Sequence, residues 1–272
     1  MATKLGIVAG GGDLPARLIA ACRAEGREYF VLAFHGQTDE ATVSGVPHAW
    51  VRLGDGEAVF RHLHEAGVRD LVMAGRIRRP SVLDLRPDFR AARVLASIGV
   101  RAFGDDGLLR AIVQEMEEEG FRVVGVDSVL GNLISPEGPI GSRTPDAAAR
   151  VDIERGVAVA RLLGAADIGQ AVVVDEGIVL GVEAVEGTDA LVERCAILRK
   201  RPAGGVLVKV KKPDQERRVD LPTVGPQTIR LAATASLSGI AVEAGQSLIL
   251  DRDEVVRLAD EMGLFVVGVR VA

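Results

Sequence analysis

Aromatic side chains are scarce in this chain of 272 residues: seven Phe, one Tyr and one Trp make up 3% of it. Stacking platforms for bases or sugars are therefore not the expected main mode of recognition. Cysteine is scarcer still. Cys22 and Cys195 are far apart and neither has a second Cys or a spaced His beside it, which excludes a disulfide framework and a zinc knuckle. Four His leave little material for a histidine-based mechanism, and His62 and His64, two apart on a helical stretch, face different directions. Apolar runs are broken by Gly, Pro or charge before they reach the roughly 18 to 20 residues that cross a bilayer. The N-terminal residues lead straight into a strand-like run without a secretion signal, so the expected compartment is the cytoplasm. A net charge of −5 gives no long-range pull on a nucleic-acid backbone, and no nucleic-acid partner is expected. The absence of a Gly-x-Ser-x-Gly elbow and of a His-Glu-x-x-His helix sets aside the commoner esterase and metalloprotease chemistries.

What is present fits two domains better than one, because 48% hydrophobic residues over this length exceed one compact core. Periodicity and punctuation predict strands at 4–9, 29–34, 49–53 and 71–74, helices at 15–25, 57–66 and 105–119, and a return to the sheet at 122–126. This βαβ rhythm reads as a Rossmann-like parallel sheet over residues 1–131. Residues 132–146, with Pro136, Pro139 and Pro145, read as a linker. Residues 147–272 read as a mixed α/β domain. Its expected helices lie at 147–163, 189–200, 227–236 and 252–262, and its strands at 171–174, 178–182, 205–210, 240–243, 248–250 and 265–271. The turn Asp175-Glu176-Gly177 signals a hairpin; the strand order is not derivable.

Four places offer chemistry. Gly10, Gly11, Gly12 and Asp13 sit between strand and helix, where backbone N–H groups and the helix dipole suit a phosphate; a tight turn without ligand explains the same residues. A nicotinamide reading is disfavoured, since Pro15 stands where a third glycine belongs and the second strand ends at Phe34-His35 with no acidic residue to hold a ribose. Glu183, Glu186 and Asp189, with Thr188, surround one loop after a strand and could hold a metal; the alternative is a capping Asp189 with solvated glutamates. Lys209 and Lys211 project to one face of a strand, and with Lys212, Arg217 and Arg218 form a small basic wall beside Asp220. Asp220 there suits a metal or the uptake of a proton from water; a surface salt bridge explains the same residues and on the residues alone is favoured. Arg76, Arg78 and Arg79 follow a strand into the crevice of a parallel sheet, to bind phosphate or to coat a loop.

Taken as a series, Gly10 to Pro15, Ala74-Gly75-Arg76 with Arg79-Pro80, Gly104-Asp105-Asp106, Asp167 to Gln170, Val182 to Asp189, Lys212-Pro213 and Asp220-Leu221-Pro222 are similar to one family. The chain resembles the UDP-2,3-diacylglucosamine pyrophosphatases of lipid A synthesis, the LpxI type. The likeness runs from the first strand to the last helix. It implies a Mg²⁺-dependent hydrolase that cleaves the diphosphate of a UDP-linked, doubly acylated glucosamine between two domains, giving UMP and the acylated sugar phosphate lipid X. On this resemblance Asp220 is the first choice for metal ligand or base, Glu183 and Asp189 follow as ligands of metal or substrate, and Mg²⁺ is assigned to Asp220 and Asp189. Gly10, Gly11, Gly12, Asp13, Arg76, Gln170, Thr188, Lys209, Lys212 and Thr223 are expected to bind substrate. A lipid substrate implies peripheral docking at the cytoplasmic face of the inner membrane, through the region 76–90. Homo-oligomerisation is left open. The rival from another class is a non-catalytic regulator that binds a nucleotide or a phosphate sugar.

Overall fold

The computed structural model describes residues 2–78, 85–98, 105–198, 202–213 and 215–271. The chain divides into two compact units, one of residues 1–131 with 216–219 and the other of 132–215 with 220–272.

In the first unit β1 (Leu5–Ala9), β2 (Tyr29–Phe34), β3 (His48–Val51), β4 (Asp70–Ala74) and β5 (Arg122–Val123) pair in parallel in the order β3-β2-β1-β4-β5. The helices are α1 (Leu14–Ala24), the short α2 (Glu40–Val43), α3 (Gly56–Glu65), α4 (Phe89–Ile98) and α5 (Asp105–Glu118). Strands buried on both faces read as near-continuous apolar runs, as Leu5 to Ala9 and Tyr29 to Phe34 do. One core joins Leu32, Phe34 and Leu71 of the sheet to Phe60 and Leu63 of α3 and Val113 and Met116 of α5. The strand order reverses between β1 and β4, and that reversal opens the crevice in which such sheets hold ligands.

In the second unit the main sheet runs β6 (Gly138–Pro139), β13 (Phe265–Val269), β11 (Gly239–Glu243), β9 (Val206–Lys209), β7 (Ala171–Asp175), β8 (Ile178–Val182). Its helices are α6 (Ala147–Ala165), α7 (Gly187–Ala196), α8 (Pro226–Thr234) and α9 (Arg252–Met262). Alternate residues of each strand serve opposite faces. Val172, Val174, Val206 and Val208 meet Ala149, Ile153 and Ala160 of α6, whereas Val173, Leu207 and Ile240 meet Leu191 of α7, Ile229 of α8 and Leu258 of α9. β13, β11 and β9 are parallel; β7 runs against both β9 and β8, so β8 points the same way as β9. The β7–β8 hairpin turns through Glu176 and Gly177, both at positive φ, with the Asp152 carboxylate accepting from both backbone N–H groups.

Several expectations are revised. Residues 132–146, read as a linker, supply β6, and Ile140 within them is 2% exposed in the second unit's core. The strand expected at 248–250 is present as β12 (Leu248–Ile249), in a separate pair with the parallel β10 (Thr223–Val224). The run 122–126 pairs only at β5 and then tightens into a 3₁₀ turn at Val126–Ser128. Arg79, Pro80 and Gly104 lie outside the described residues, and so does Lys200, which the helix expected at 189–200 includes.

Candidate active site

At the carboxyl end of β1 the glycine turn lies against the turn after β4. Gly10 N donates to Ala74 O at 2.7 Å, while Gly11 and Arg76 exchange two backbone hydrogen bonds of 2.9 Å. A Cβ on Gly10 would stand 2.5 Å from Arg76 O, and one on Gly75, at φ +94°, 2.7 Å from Gly11 O. Only glycine allows these backbones to approach so closely. Gly12 N donates to the Asp39 carboxylate at 2.9 Å. The three N–H groups that the sequence offered to a phosphate therefore already have acceptors within the protein. Asp13 stands at the N-cap of α1 without a side-chain capping bond, and Arg76 is exposed. Beside this turn a cavity of about 720 Å³ is lined by His35, Thr38, His48 and the sole tryptophan, Trp50, on which His35 stacks at 5.2 Å. No sequence signal marked it.

The second sheet places more of the expected residues together. The ends of β8, β9 and β11 and the start of β7 share one edge, which carries Glu183, Lys209, Glu243 and Gln170. Glu183 is buried, and both its oxygens are engaged: Thr188 Oγ1 donates to Oε1 at 2.6 Å and Gln170 N to Oε2 at 3.1 Å. Lys209 Nζ, also buried, donates to Thr188 Oγ1 at 2.9 Å and to Thr223 O at 3.3 Å. The Thr188 hydroxyl thus stands between an ammonium and a carboxylate, and the buried charges of Lys209 and Glu183 are linked through it. Gly169 makes the assembly possible, because a Cβ there would lie 2.1 Å from Glu183 O. The side-chain Oε1 of Gln170 is buried and has no hydrogen-bond partner among the described residues.

The expected basic wall does not form, since each cation has its own acceptor. Lys209 turns to Thr188, while Lys211 Nζ folds onto the carbonyls of Lys212 and Pro213. Lys212 Nζ pairs with Asp167 at 2.6 Å, Arg217 with Asp127 and Arg218 with Glu216 and Glu117. Nor is Asp189 a cap; it lies in the first turn of α7, behind Glu186 at the N-cap, and Glu186 pairs with Arg194 at 2.8 Å. Asp220 is half-buried, and its Oδ2 accepts from the Gln215 side-chain amide.

Among the described residues no three His, Cys, Asp or Glu side chains converge as a metal centre. Mg²⁺ needs fewer, because one or two carboxylates plus substrate phosphates and waters complete its shell. Asp189, half-buried and without a hydrogen bond or ion pair among the described residues, and Asp220, with one oxygen engaged, are oxygen donors of that kind. Glu183 is spent on Thr188 and Gln170.

The sequence model of the LpxI N-terminal domain matches residues 4–133 and that of the LpxI C-terminal domain residues 136–267. The chain belongs to the LpxI family. A member from Caulobacter vibrioides, named UDP-2,3-diacylglucosamine pyrophosphatase LpxI, is 44% identical over 273 residues, covering 98% of this chain and 97% of the relative. The resemblance read from the motifs therefore holds over the whole length, and the LpxI C-terminal match contains the edge with Glu183, Thr188 and Lys209 and, separately, Asp220. Two solved structures match faintly. The precorrin-6A reductase CobK is 12% identical, with a TM-score of 0.34 over 100% of this chain and 90% of its own. An N5-carboxyaminoimidazole synthase from Aspergillus clavatus is 15% identical, with a TM-score of 0.26 over 74% of this chain and 45% of its own. Neither likeness bears on the fold or function of an LpxI chain.

Proposed function

We propose that this chain hydrolyses the diphosphate of UDP-2,3-diacylglucosamine in a Mg²⁺-dependent reaction, releasing UMP and 2,3-diacylglucosamine 1-phosphate, lipid X, in lipid A synthesis. The observation that carries this reading is the buried Glu183–Thr188–Lys209 chain at a sheet edge, within a family whose Caulobacter member bears the name of that activity. Lys209, held by Thr188 and by the Thr223 carbonyl, presents a fixed positive charge to diphosphate oxygens as negative charge builds on them. Glu183 orients Thr188 and holds no substrate itself. Gln170 Oε1 accepts from a hydroxyl or amide N–H of the sugar. Asp220 binds the metal or takes the proton of the attacking water, and Asp189 supplies a second oxygen donor. When bound, Mg²⁺ supplies charge neutralisation at the diphosphate. The Gly10 to Gly12 turn, Asp13 and Arg76 serve the nucleotide, and Lys212, paired with Asp167, supports the loop that carries Asp220.

Incubation with UDP-2,3-diacylglucosamine, with and without Mg²⁺, tests the reading: UMP appears only with the metal and is lost in Asp220→Ala, which keeps the wild-type melting temperature. UMP release without Mg²⁺, or by the Asp220→Ala protein, would reject it. Among the described residues no helix is long and apolar enough to cross a membrane. Docking at the inner membrane through the region 76–90 remains part of the proposal, although residues 79–84 lie outside the described residues. Failure to sediment with anionic vesicles at low salt would end it.

A further inference from the structure

The sequence drew no attention to Gln215, yet it is 4% exposed and every polar group of its side chain is used. Its Oε1 accepts from Lys212 N at 3.0 Å, its backbone N donates to Lys212 O at 3.1 Å, and its side-chain amide donates to Asp220 Oδ2. Lys212 is itself anchored. Lys212 Nζ pairs with Asp167, and the Lys212 backbone lies so close to α6 that a Cβ on Gly164 would meet its Cα at 3.1 Å. Residues 216–219, between Gln215 and Asp220, belong to the first unit. There Arg217 pairs with Asp127, Arg218 with Glu117, and Val219 packs on the core of Leu32 and Leu71. The hydrogen bond from Gln215 to Asp220 therefore closes the neck of a short excursion of the chain.

We infer that Gln215 is the positioning residue for Asp220, tying one carboxylate oxygen to the turn anchored on α6 and leaving the other directed to the reacting groups. The inference deepens the proposed function and rests on it. Asp220 follows directly after a segment bound elsewhere. Without the Gln215 amide its carboxylate can rotate about χ1 and χ2, and a misplacement on the scale of an ångström costs on the order of 100-fold in rate. Gln is suited to this place because one end must accept from a backbone N–H and the other must donate to a carboxylate, which neither Glu nor Leu does at neutral pH.

The test compares Gln215→Leu, Gln215→Glu and Asp220→Asn by steady-state UMP release, with melting temperatures recorded alongside. Gln215→Leu is expected to lose roughly 10- to 100-fold in kcat with KM within about twofold of wild type. Gln215→Glu keeps the acceptor for Lys212 N and loses the donor to Asp220, so it should lose kcat to a similar extent with KM and melting temperature near wild type. That split is the reading a merely loop-stabilising glutamine would not give. It applies even where Gln215→Leu melts early. A wild-type kcat in Gln215→Leu or in Gln215→Glu overturns the positioning role while an inactive Asp220→Asn leaves the proposed function standing. A fully active Asp220→Asn overturns both.

Discussion

At the carboxyl edge of the first sheet the polar groups are backbone amides, and each N–H from Gly10 to Gly12 already has an acceptor. At the same edge of the second sheet they are side chains: Glu183, Thr188 and Lys209 in a buried chain, with Gln170 Oε1 left unpartnered. A backbone-built edge is settled by the fold, because the glycines are required for the two turns to touch. A side-chain edge is not required by the fold, since aliphatic residues would pack there without the expense of burying a cation and a carboxylate. The fold alone therefore does not account for the residues of the second edge.

The sharpest break of that comparison is a matched pair of charge deletions. Lys209→Met should reduce UMP release on the order of 100- to 1000-fold, as loss of a preorganised group facing developing charge does. Arg76→Met, on the exposed first edge, should lose about tenfold or less. Equal losses measured as kcat/KM would erase the distinction between the edges.

Two carboxylates, Asp70 buried in the first unit and Glu243 half-buried in the second, offer a second contrast, through pH. Asp70, at the amino end of β4, is pushed up by burial, but hydrogen bonds from Arg122 and Thr3 and the charges of Arg122 and Arg27 outweigh this and hold it below the usual carboxylate range. Its stabilisation is thus complete above an unfolded value of about 3.9 and is lost as pH falls through the lower folded value. Glu243, at the carboxyl end of β11, is pushed up by burial, only partly offset by the Lys211 N–H and charge and by Arg161. Its folded form holds a proton more tightly than the unfolded chain. It therefore favours folding at pH below its unfolded value of about 4.3 and loses that contribution as pH rises through the folded value. Urea denaturation should show Asp70→Asn less stable than wild type by about 1–3 kcal/mol at pH 7, with the gap narrowing in acid. Glu243→Gln should be as stable or up to about 1 kcal/mol more stable at pH 7, its advantage vanishing near pH 4. Like signs for the two variants would contradict the assignment.

The smallest effect belongs to the glycine turn. The Asp39 carboxylate lies 2.9 Å from Gly12 N, where an anion would otherwise be drawn. Asp39→Asn removes that charge and should tighten UMP binding about two- to fivefold. Trp50, the only tryptophan, lines the neighbouring cavity with Thr38, whose hydroxyl donates to Ala9 O, so its emission can follow the titration. Weaker binding in the variant would mean that Asp39 helps to hold the nucleotide.

Much of the frame was legible in the sequence because buried strands and glycine punctuation are local signals. The strands 29–34 and 178–182 and the helix 252–262 stand where period and caps placed them. The parallel first sheet follows from the same rhythm. What failed depended on partners remote in sequence. Leu248 reads as a strand residue with no sign that its partner is Thr223, and 132–146 reads as a linker because proline count says nothing of β6 or Ile140. At the site, Glu183, Thr188 and Lys209 were all legible as candidates, but not that Glu183 spends both oxygens on neighbours. The basic wall was misread for the same reason. Spacing shows where lysines start, whereas the acceptors that capture them, Asp167 for Lys212 and Asp127 for Arg217, are contributed from 45 and 90 residues away. Gln215 gave no signal at all, because a single glutamine in a charged loop looks like any solvated residue.

Residues 216–219 give the gene an unusual constraint. The segments matching the two LpxI domains read as neighbouring blocks of text, yet a product ending at codon 131 would lack Val219 from its core and the arginines that meet Asp127 and Glu117. Recombination that moved the first block onto a foreign partner would need three breakpoints in place of one. Four residues thus make the first block incomplete as a continuous stretch of sequence.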